Sequence, residues 1–134
     1  MGLKTHTTRG EILKSIMESV TLYFVEPLES LRSLGIDTSQ FMATGGGARS
    51  DAWLQIKADV LGVPFARPAV TECGMVGAAI CAGLATRVYS SAAEGVEQFV
   101  RTDRVFEPDA RRHDIYRAKH ELYRQLYPSL KGLL

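Results

Sequence analysis

The run Thr44-Gly45-Gly46-Gly47-Ala48-Arg49-Ser50 holds the residue types in this chain best suited to chemistry. Three consecutive glycines lack Cβ atoms, so the backbone can turn sharply and a ligand can approach it closely. Residues able to start a helix follow at once. The first amides of a helix have no intrahelical acceptor, and the helix dipole favours negative charge there. A strand, a glycine turn and a helix start together therefore suit an anion or a nucleotide. Arg49 adds a charged donor beside a phosphate. Ser50 either bonds the ligand or caps the helix. On residue types alone, the cluster reads equally as a tight strand-to-helix turn. It is not a P-loop, because no Gly-Lys-Ser/Thr ending is present. It is also a poor dinucleotide fingerprint. Gly45 and Gly47 have the first spacing, but Ser50 stands at the third small position. The next strand ends in Phe65-Ala66-Arg67, with no acidic residue for a ribose.

The elements that must position this loop are legible on both sides of it. Gln40 to Thr44 is a candidate buried strand. Ser50 or Asp51 caps a helix carrying Trp53, Leu54, Ile56, Ala58, Val60 and Leu61, which ends at Gly62. Val63 to Ala66 is a short second strand, so strand, helix and strand predict a parallel crossover unit. Upstream, Thr8-Arg9-Gly10-Glu11 reads as a capping box. Behind it Ile12, Leu13, Ile16, Met17, Val20, Phe24, Leu28 and Leu31 recur at helical spacing. That helix should kink or break at Pro27 and stop at Gly35. Downstream, Arg67 to Cys73 reads as a loop and Gly74 to Thr86 as a helix of small residues. Ala92 to Val100 is a short amphipathic helix, and Arg101 to Pro108 is extended or irregular. A last helix is capped by Asp109 and closed by Pro128. The fold class is α/β, helix-rich around a few short strands, mostly parallel. Two strands are too few for a comfortable sheet, so further strands should come from outside these residues or from a second copy.

Composition narrows the function classes. The chain has 134 residues, which suits a single domain over 1–134, and a formal net charge of +1, so no global basic excess points to nucleic acid. No apolar run approaches the roughly 20 residues of a membrane span. Residues 1–9 carry no signal-peptide core, and a cytoplasmic protein is the expectation. Cys73 and Cys81 make neither a disulfide framework nor a zinc site, and read as buried, reduced thiols. His6, His113 and His120 show no metal-ligand spacing and read as solvated surface. Tyr116, Tyr123 and Tyr127 share a helix side and read as core. Arg111, Arg112, Arg117, Lys119 and Arg124 read as a solvated basic face.

The wider pattern resembles the FGGY carbohydrate kinases. Thr44 to Ser50, then Trp53, Gln55-Ile56, Ala58-Asp59-Val60-Leu61-Gly62 and Pro64 are similar to that family's adenosine motif. Glu72 and Gly77-Ala78-Ala79-Ile80-Cys81-Ala82-Gly83 resemble its second connecting helix. Gly2-Leu3, Thr7, Arg9 and Ile16-Met17-Glu18-Ser19 resemble the segment entering the preceding helix. Phe106-Glu107-Pro108 and the tyrosine series resemble its C-terminal end. The Gly-Gly-Gly-Ala-Arg-Ser form looks closer to xylulokinase-like members than to glycerol kinases.

The resemblance implies the C-terminal part of an actin-like, ribonuclease H-like ATPase lobe. It implies ATP as the nucleotide and a sugar hydroxyl as phosphoryl acceptor. Gly46 and Gly47 would lie against adenosine and the α-phosphate, with Gly45, Ala48, Arg49 and Ser50 completing the wall. The family's catalytic aspartate, sugar pocket and phosphate-binding hairpins all precede the matched segments. This chain alone is therefore expected to be inactive, with magnesium ligands coming mainly from elsewhere. Asp59 is expected to be structural and Asp51 a helix cap. Glu72 should bond nearby amides, and Glu18 should make an interlobe or intrahelix contact. The small-residue helix packs either inside the domain or against the other lobe. Exposed, it would favour homo-oligomers. A non-catalytic, self-associating module is the alternative function.

Overall fold

The computed structural model describes residues 2–133. The chain begins with α1 (Arg9–Tyr23) and α2 (Val25–Ser33), then β1 (Phe41–Met42) and a 3-10 turn over Gly46–Arg49. It continues through α3 (Asp51–Leu61), β2 (Phe65–Pro68), α4 (Cys73–Ala85) and α5 (Ala92–Phe99). β3 (Thr102–Phe106), α6 (Ala110–Arg124), α7 (Leu126–Leu130) and a second 3-10 turn at Lys131–Leu133 complete it.

Local chemistry accounts for most boundaries. The capping box at Thr8 is present: the Glu11 amide donates to Thr8 Oγ1 at 3.2 Å, and the Thr8 amide donates to Glu11 Oε2 at 2.7 Å. The break expected near Pro27 separates two helices at Phe24. Pro27 falls in the first turn of α2, where its missing N–H removes no helical bond. Pro128 does the same in the first turn of α7, so it opens a short extra helix where a stop was expected. Gly35, at φ +75°, receives the end of α2 as predicted.

The sheet has three strands in the order β1-β2-β3. β1 and β2 run parallel and are joined through α3, with Phe41 opposite Phe65. The segment read as extended or irregular is β3. It pairs antiparallel with β2, Phe65 opposite Phe106 and Arg67 opposite Arg104, so the sheet holds one ladder of each kind. β2 also runs further than expected, through Arg67 and Pro68. Pro68 lies at a register shift, which is where a residue without an N–H fits a ladder.

Helix α3 is the centre of the molecule. Leu54 and Ala58, one turn apart, are fully buried against Ala43, Ala48, Val63, Phe65 and Phe106 on the sheet side. Ile56 and Val60 face the other way, onto Leu22 of α1 and Tyr116 of α6, and Leu61 touches both clusters. Burying a leucine such as Leu54 contributes about 2 kcal/mol.

Several expected core positions are not covered. Ile12, Leu13, Ile16 and Val20 follow helical spacing but are 43–55% exposed, because no described element packs over the outer side of α1. In α4 only Ile80 is buried, against Gly95 of α5. Cys73 is therefore half-buried and Cys81 exposed, contrary to the buried thiols expected. Tyr116 is core and Tyr123 packs against it, but Tyr127 lies on α7 and is exposed.

Two histidines also depart from expectation. His120 is buried and stacks on Tyr123. The His113 ring packs closely against Gly62, whose left-handed φ of +65° and missing Cβ make room for the imidazole. Its Nδ1 is 3.0 Å from the Asp59 carbonyl. His6 is exposed.

Candidate functional site

Strand β1 delivers the chain to Gly45, whose φ of 73° and ψ of −167° belong to a region only glycine occupies freely. The Gly45 amide donates to the Thr71 carbonyl at 2.8 Å, fastening the turn to the segment before α4. The 3-10 turn closes through Ala48 N–H to Gly45 O (3.1 Å) and Ser50 N–H to Gly47 O (3.4 Å). The Gly46 and Gly47 amides have no acceptor among the described residues. Ser50 is the cap: its Oγ accepts from the Trp53 amide at 3.3 Å.

Six sequence-predicted residues, Gly45 to Ser50, thus share one turn, but they present different things to a ligand. A Cβ on Gly46 would meet nothing within 4 Å, so this glycine borders open space. A Cβ on Gly47 would stand 3.2 Å from the Trp53 ring, so Gly47 is where the turn lies closely on α3. The Ala48 methyl is buried in the core, leaving only its backbone for an outside partner. The exposed Arg49 guanidinium donates to Glu72 Oε1 at 2.8 Å.

Glu72 therefore holds Arg49, where bonding to nearby amides was expected, and it makes no side-chain cap on α4. Asp51 is not the cap either. Its two oxygens accept from Arg67 Nη1 at 2.6 Å and Arg104 Nη1 at 2.7 Å. Arg67 and Arg104 face each other across the β2–β3 ladder, and like charges there repel. The carboxylate of Asp51, with Asp103 on Arg67, offsets that repulsion. Hydrogen bonds to Asp51 and then Asp103 raise the Arg67 pKa further.

The remaining carboxylates hold helices together. Asp59 is 2% exposed. It accepts from Gln55 Nε2 and the Asp109 amide, both at 2.9 Å, and from Arg112 Nη1 at 3.3 Å. Glu18 links α1 to α6, accepting from Tyr116 Oη at 2.7 Å and Lys119 Nζ at 3.2 Å, with Lys14 one turn away. Burial opposes its charge, but these donors and cations outweigh it and hold Glu18 below the ordinary glutamate range. Burial, then the Glu18 carboxylate, pushes the Tyr116 phenol up. The basic face expected on α6 is partly neutralised, since Arg112, Arg117, Lys119 and Arg124 pair with Asp59, Asp114, Glu18 and Glu26. Among the described residues, no group of three or more His, Cys, Asp or Glu side chains could hold a metal ion. No described helix is long and apolar enough to cross a membrane.

Sequence reasoning placed Trp53 on α3 but missed what it does. Its ring backs Gly47, Lys57 Nζ sits 4.6 Å from the ring centroid, and its Nε1 is buried without an acceptor among the described residues. Burial lowers the Lys57 pKa. Both residues line an apolar cavity of about 520 Å³ between α1–α2, β1 and α3, next to Thr44. The one available signal was the spacing of Trp53 and Lys57, a single helical turn apart.

The model of the FGGY family of carbohydrate kinases, C-terminal domain, matches residues 1–86. The chain belongs to the FGGY family of carbohydrate kinases. The L-xylulose/3-keto-L-gulonate kinase of Escherichia coli is 34% identical over 131 residues, covering 98% of this chain and 26% of that protein. The glycerol kinase of Bordetella parapertussis is 38% identical over 133 residues, 98% of this chain and 26% of that protein. A solved xylulose kinase from Rhodospirillum rubrum superposes with a TM-score of 0.81 at 30% identity, over 99% of this chain and 27% of that one. The chain thus spans about a quarter of the length of the FGGY kinases it matches. The fold is that of a helix-rich part of the C-terminal lobe of these actin-like kinases, and the xylulokinase-like resemblance has counterparts in these relatives.

Proposed function

We propose that this chain forms the adenine-nucleotide-binding part of a sugar kinase. The observation that carries the reading is the Gly45–Ser50 turn, with an open Gly46 and two amides that have no acceptor among the described residues, leading into a capped helix. A cradle of this kind fits adenosine and the α-phosphate of ATP or ADP, because backbone approaches the ligand where a Cβ would obstruct it and amides meet negative charge. Arg49 serves as a displaceable helper. Its pair with Glu72 is exposed, worth at most about 1 kcal/mol, so an arriving phosphate competes for it. Ser50 keeps its cap and can still offer its hydroxyl proton.

Bound ATP supplies the γ-phosphoryl group that passes to a sugar hydroxyl, and the loop's part in that is positioning. None of the four carboxylates singled out in the sequence is assigned the role of proton acceptor in this reading. Asp51, Asp59, Glu18 and Glu72 are each engaged by cations or amides. The base, the sugar pocket and the magnesium and β,γ-phosphate contacts belong to segments outside these residues in this reading. The isolated chain then binds nucleotide weakly and transfers nothing. A cytoplasmic location goes with this metabolic role.

Titration of the chain with ADP tests the reading. Saturable binding that is lost in Gly46→Val, with NAD no better than ADP, is the expected result. A second reading, a self-associating module without catalysis, is favoured by the outer face of α4, where Gly77, Ala78, Cys81 and Ala82 are exposed. A stable dimer that binds no nucleotide would support it.

A further inference from the structure

Residues 71 and 72 hold the glycine turn at both of its ends. At the first end the Gly45 amide donates to the Thr71 carbonyl at 2.8 Å. At the last, Arg49 Nη2 donates to Glu72 Oε1, also at 2.8 Å. The Gly46 and Gly47 amides, with no acceptor among the described residues, lie between these two ties. Glu72 stands at the N-cap position of α4, yet its side chain caps nothing there. Thr8, Ser50, Ser91 and Asp109 do cap α1, α3, α5 and α6. Among the described residues the Glu72 carboxylate bonds Arg49 and nothing else, and Arg49 has no other ion-pair partner. The rim of a site suited to an anion thus carries a negative charge, and that charge occupies the one cation of the turn.

We propose that Glu72 is a negative determinant of nucleotide affinity: it competes with the phosphate groups of ADP and ATP for Arg49 and so keeps their binding weaker than the turn alone would make it. The inference rests on the adenine-nucleotide reading of the turn and deepens it, by giving a residue outside the turn control over its grip on phosphate. The exchange of partners is open to both side chains, since Arg49 is 68% and Glu72 49% exposed. It also leaves no charge stranded. When Arg49 turns to a phosphate, the Glu72 carboxylate remains at the N-terminal end of α4, where the helix dipole favours negative charge. Product release limits many enzymes, and a competitor for the phosphate-binding arginine speeds the departure of ADP.

A double-mutant cycle tests this, with ADP titrated against the amide resonances of Gly46 and Gly47 in the parent chain, Glu72→Gln, Arg49→Gln and the double variant. Glu72→Gln should bind ADP about threefold to fivefold tighter than the parent, the gain expected when one exposed ion pair no longer competes. Arg49→Gln should bind more weakly than the parent. Adding Glu72→Gln to it should then change the affinity less than twofold, because there is no guanidinium left to compete for. Glu72→Ala replaces Glu72→Gln should that variant lose its native spectrum. A merely structural role for Glu72 predicts the opposite sign, since loosening the turn weakens binding. Saturable ADP binding that is unchanged or weakened in Glu72→Gln would overturn this inference and leave the nucleotide reading standing. So would an equal tightening in the Arg49→Gln background, since Glu72 then acts without Arg49. A parent chain that binds no ADP at millimolar nucleotide would overturn the nucleotide reading and this inference with it.

Discussion

Replacing Asp59 by alanine removes an acceptor that ties α3 to the start of α6. Oδ1 takes the Asp109 amide and Gln55 Nε2, and Oδ2 takes Arg112 Nη1. Gln55 keeps a second bond to the Glu107 carbonyl at 2.9 Å, so the group left unpaired is the Asp109 amide at the helix cap. An orphaned, part-buried donor costs about 1–3 kcal/mol, and lost packing around a side chain only 2% exposed adds to it. The expected loss for Asp59→Ala is about 2–3 kcal/mol. Arg112 is different. Its side chain is 60% exposed and 3.3 Å away, so Arg112→Ala should cost no more than about 1 kcal/mol. Asp59→Asn should fall between the two, because it keeps Oδ1 but turns an amide toward Arg112. Urea unfolding followed by the fluorescence of the single tryptophan measures all three, with the slopes compared to confirm an unchanged unfolding transition. If Arg112→Ala proves as costly as Asp59→Ala, the stabilisation comes from the ion pair and the reasoning fails.

Other consequences follow from single contacts. Glu18 is held below the ordinary glutamate range in the folded chain, so its contribution is fully present above the unfolded pKa and is lost as the pH falls through the lower folded one. Stability should therefore drop below about pH 4, and Glu18→Gln should flatten that acid limb in pH-dependent melting. Gly62→Ala forces a Cβ onto φ +65° and to 2.6 Å from the His113 ring. It should cost about 2 kcal/mol or more in urea titrations, whereas Gly46→Ala, with nothing within 4 Å, should leave the midpoint unchanged. Asp51→Asn leaves Arg67 and Arg104 opposed across the ladder. Its destabilisation should be largest at low salt and shrink as salt screens the two guanidinium groups, read by melting at several ionic strengths.

The parts of the fold that local chemistry decides were readable in the sequence. Thr8 and Glu11 announce the start of α1, Gly35 and Gly62 end helices in left-handed conformations, and Ser50 caps α3. The strand–glycine–helix unit carried the loop with it. What was not readable depends on partners distant in sequence. Nothing near Thr102 reveals that residues 102–106 pair with β2, since its burial pattern is exposed until Phe106. Asp51 looked like a cap because its two arginines lie 16 and 53 residues away. Glu72 looked like an amide acceptor because Arg49 is 23 residues distant. Small residues on α4 suggested burial, but Cys81 and its neighbours are exposed because no described element lies over that face. The proline positions illustrate the opposite error. Pro27 and Pro128 were read as sites of disruption, and the helix break lies three residues before each of them, so that both prolines sit in the first turn of the next helix.

The central claim is that the open Gly46 and its neighbouring amides hold an adenine nucleotide. Calorimetric titration of the chain and of Gly46→Val with ADP, at matched thermal stability, tests it most directly. The account predicts weak, saturable binding by the chain and none by the variant. A folded chain that shows no saturable ADP binding at millimolar nucleotide, or a Gly46→Val variant that binds as well as the parent, would contradict it.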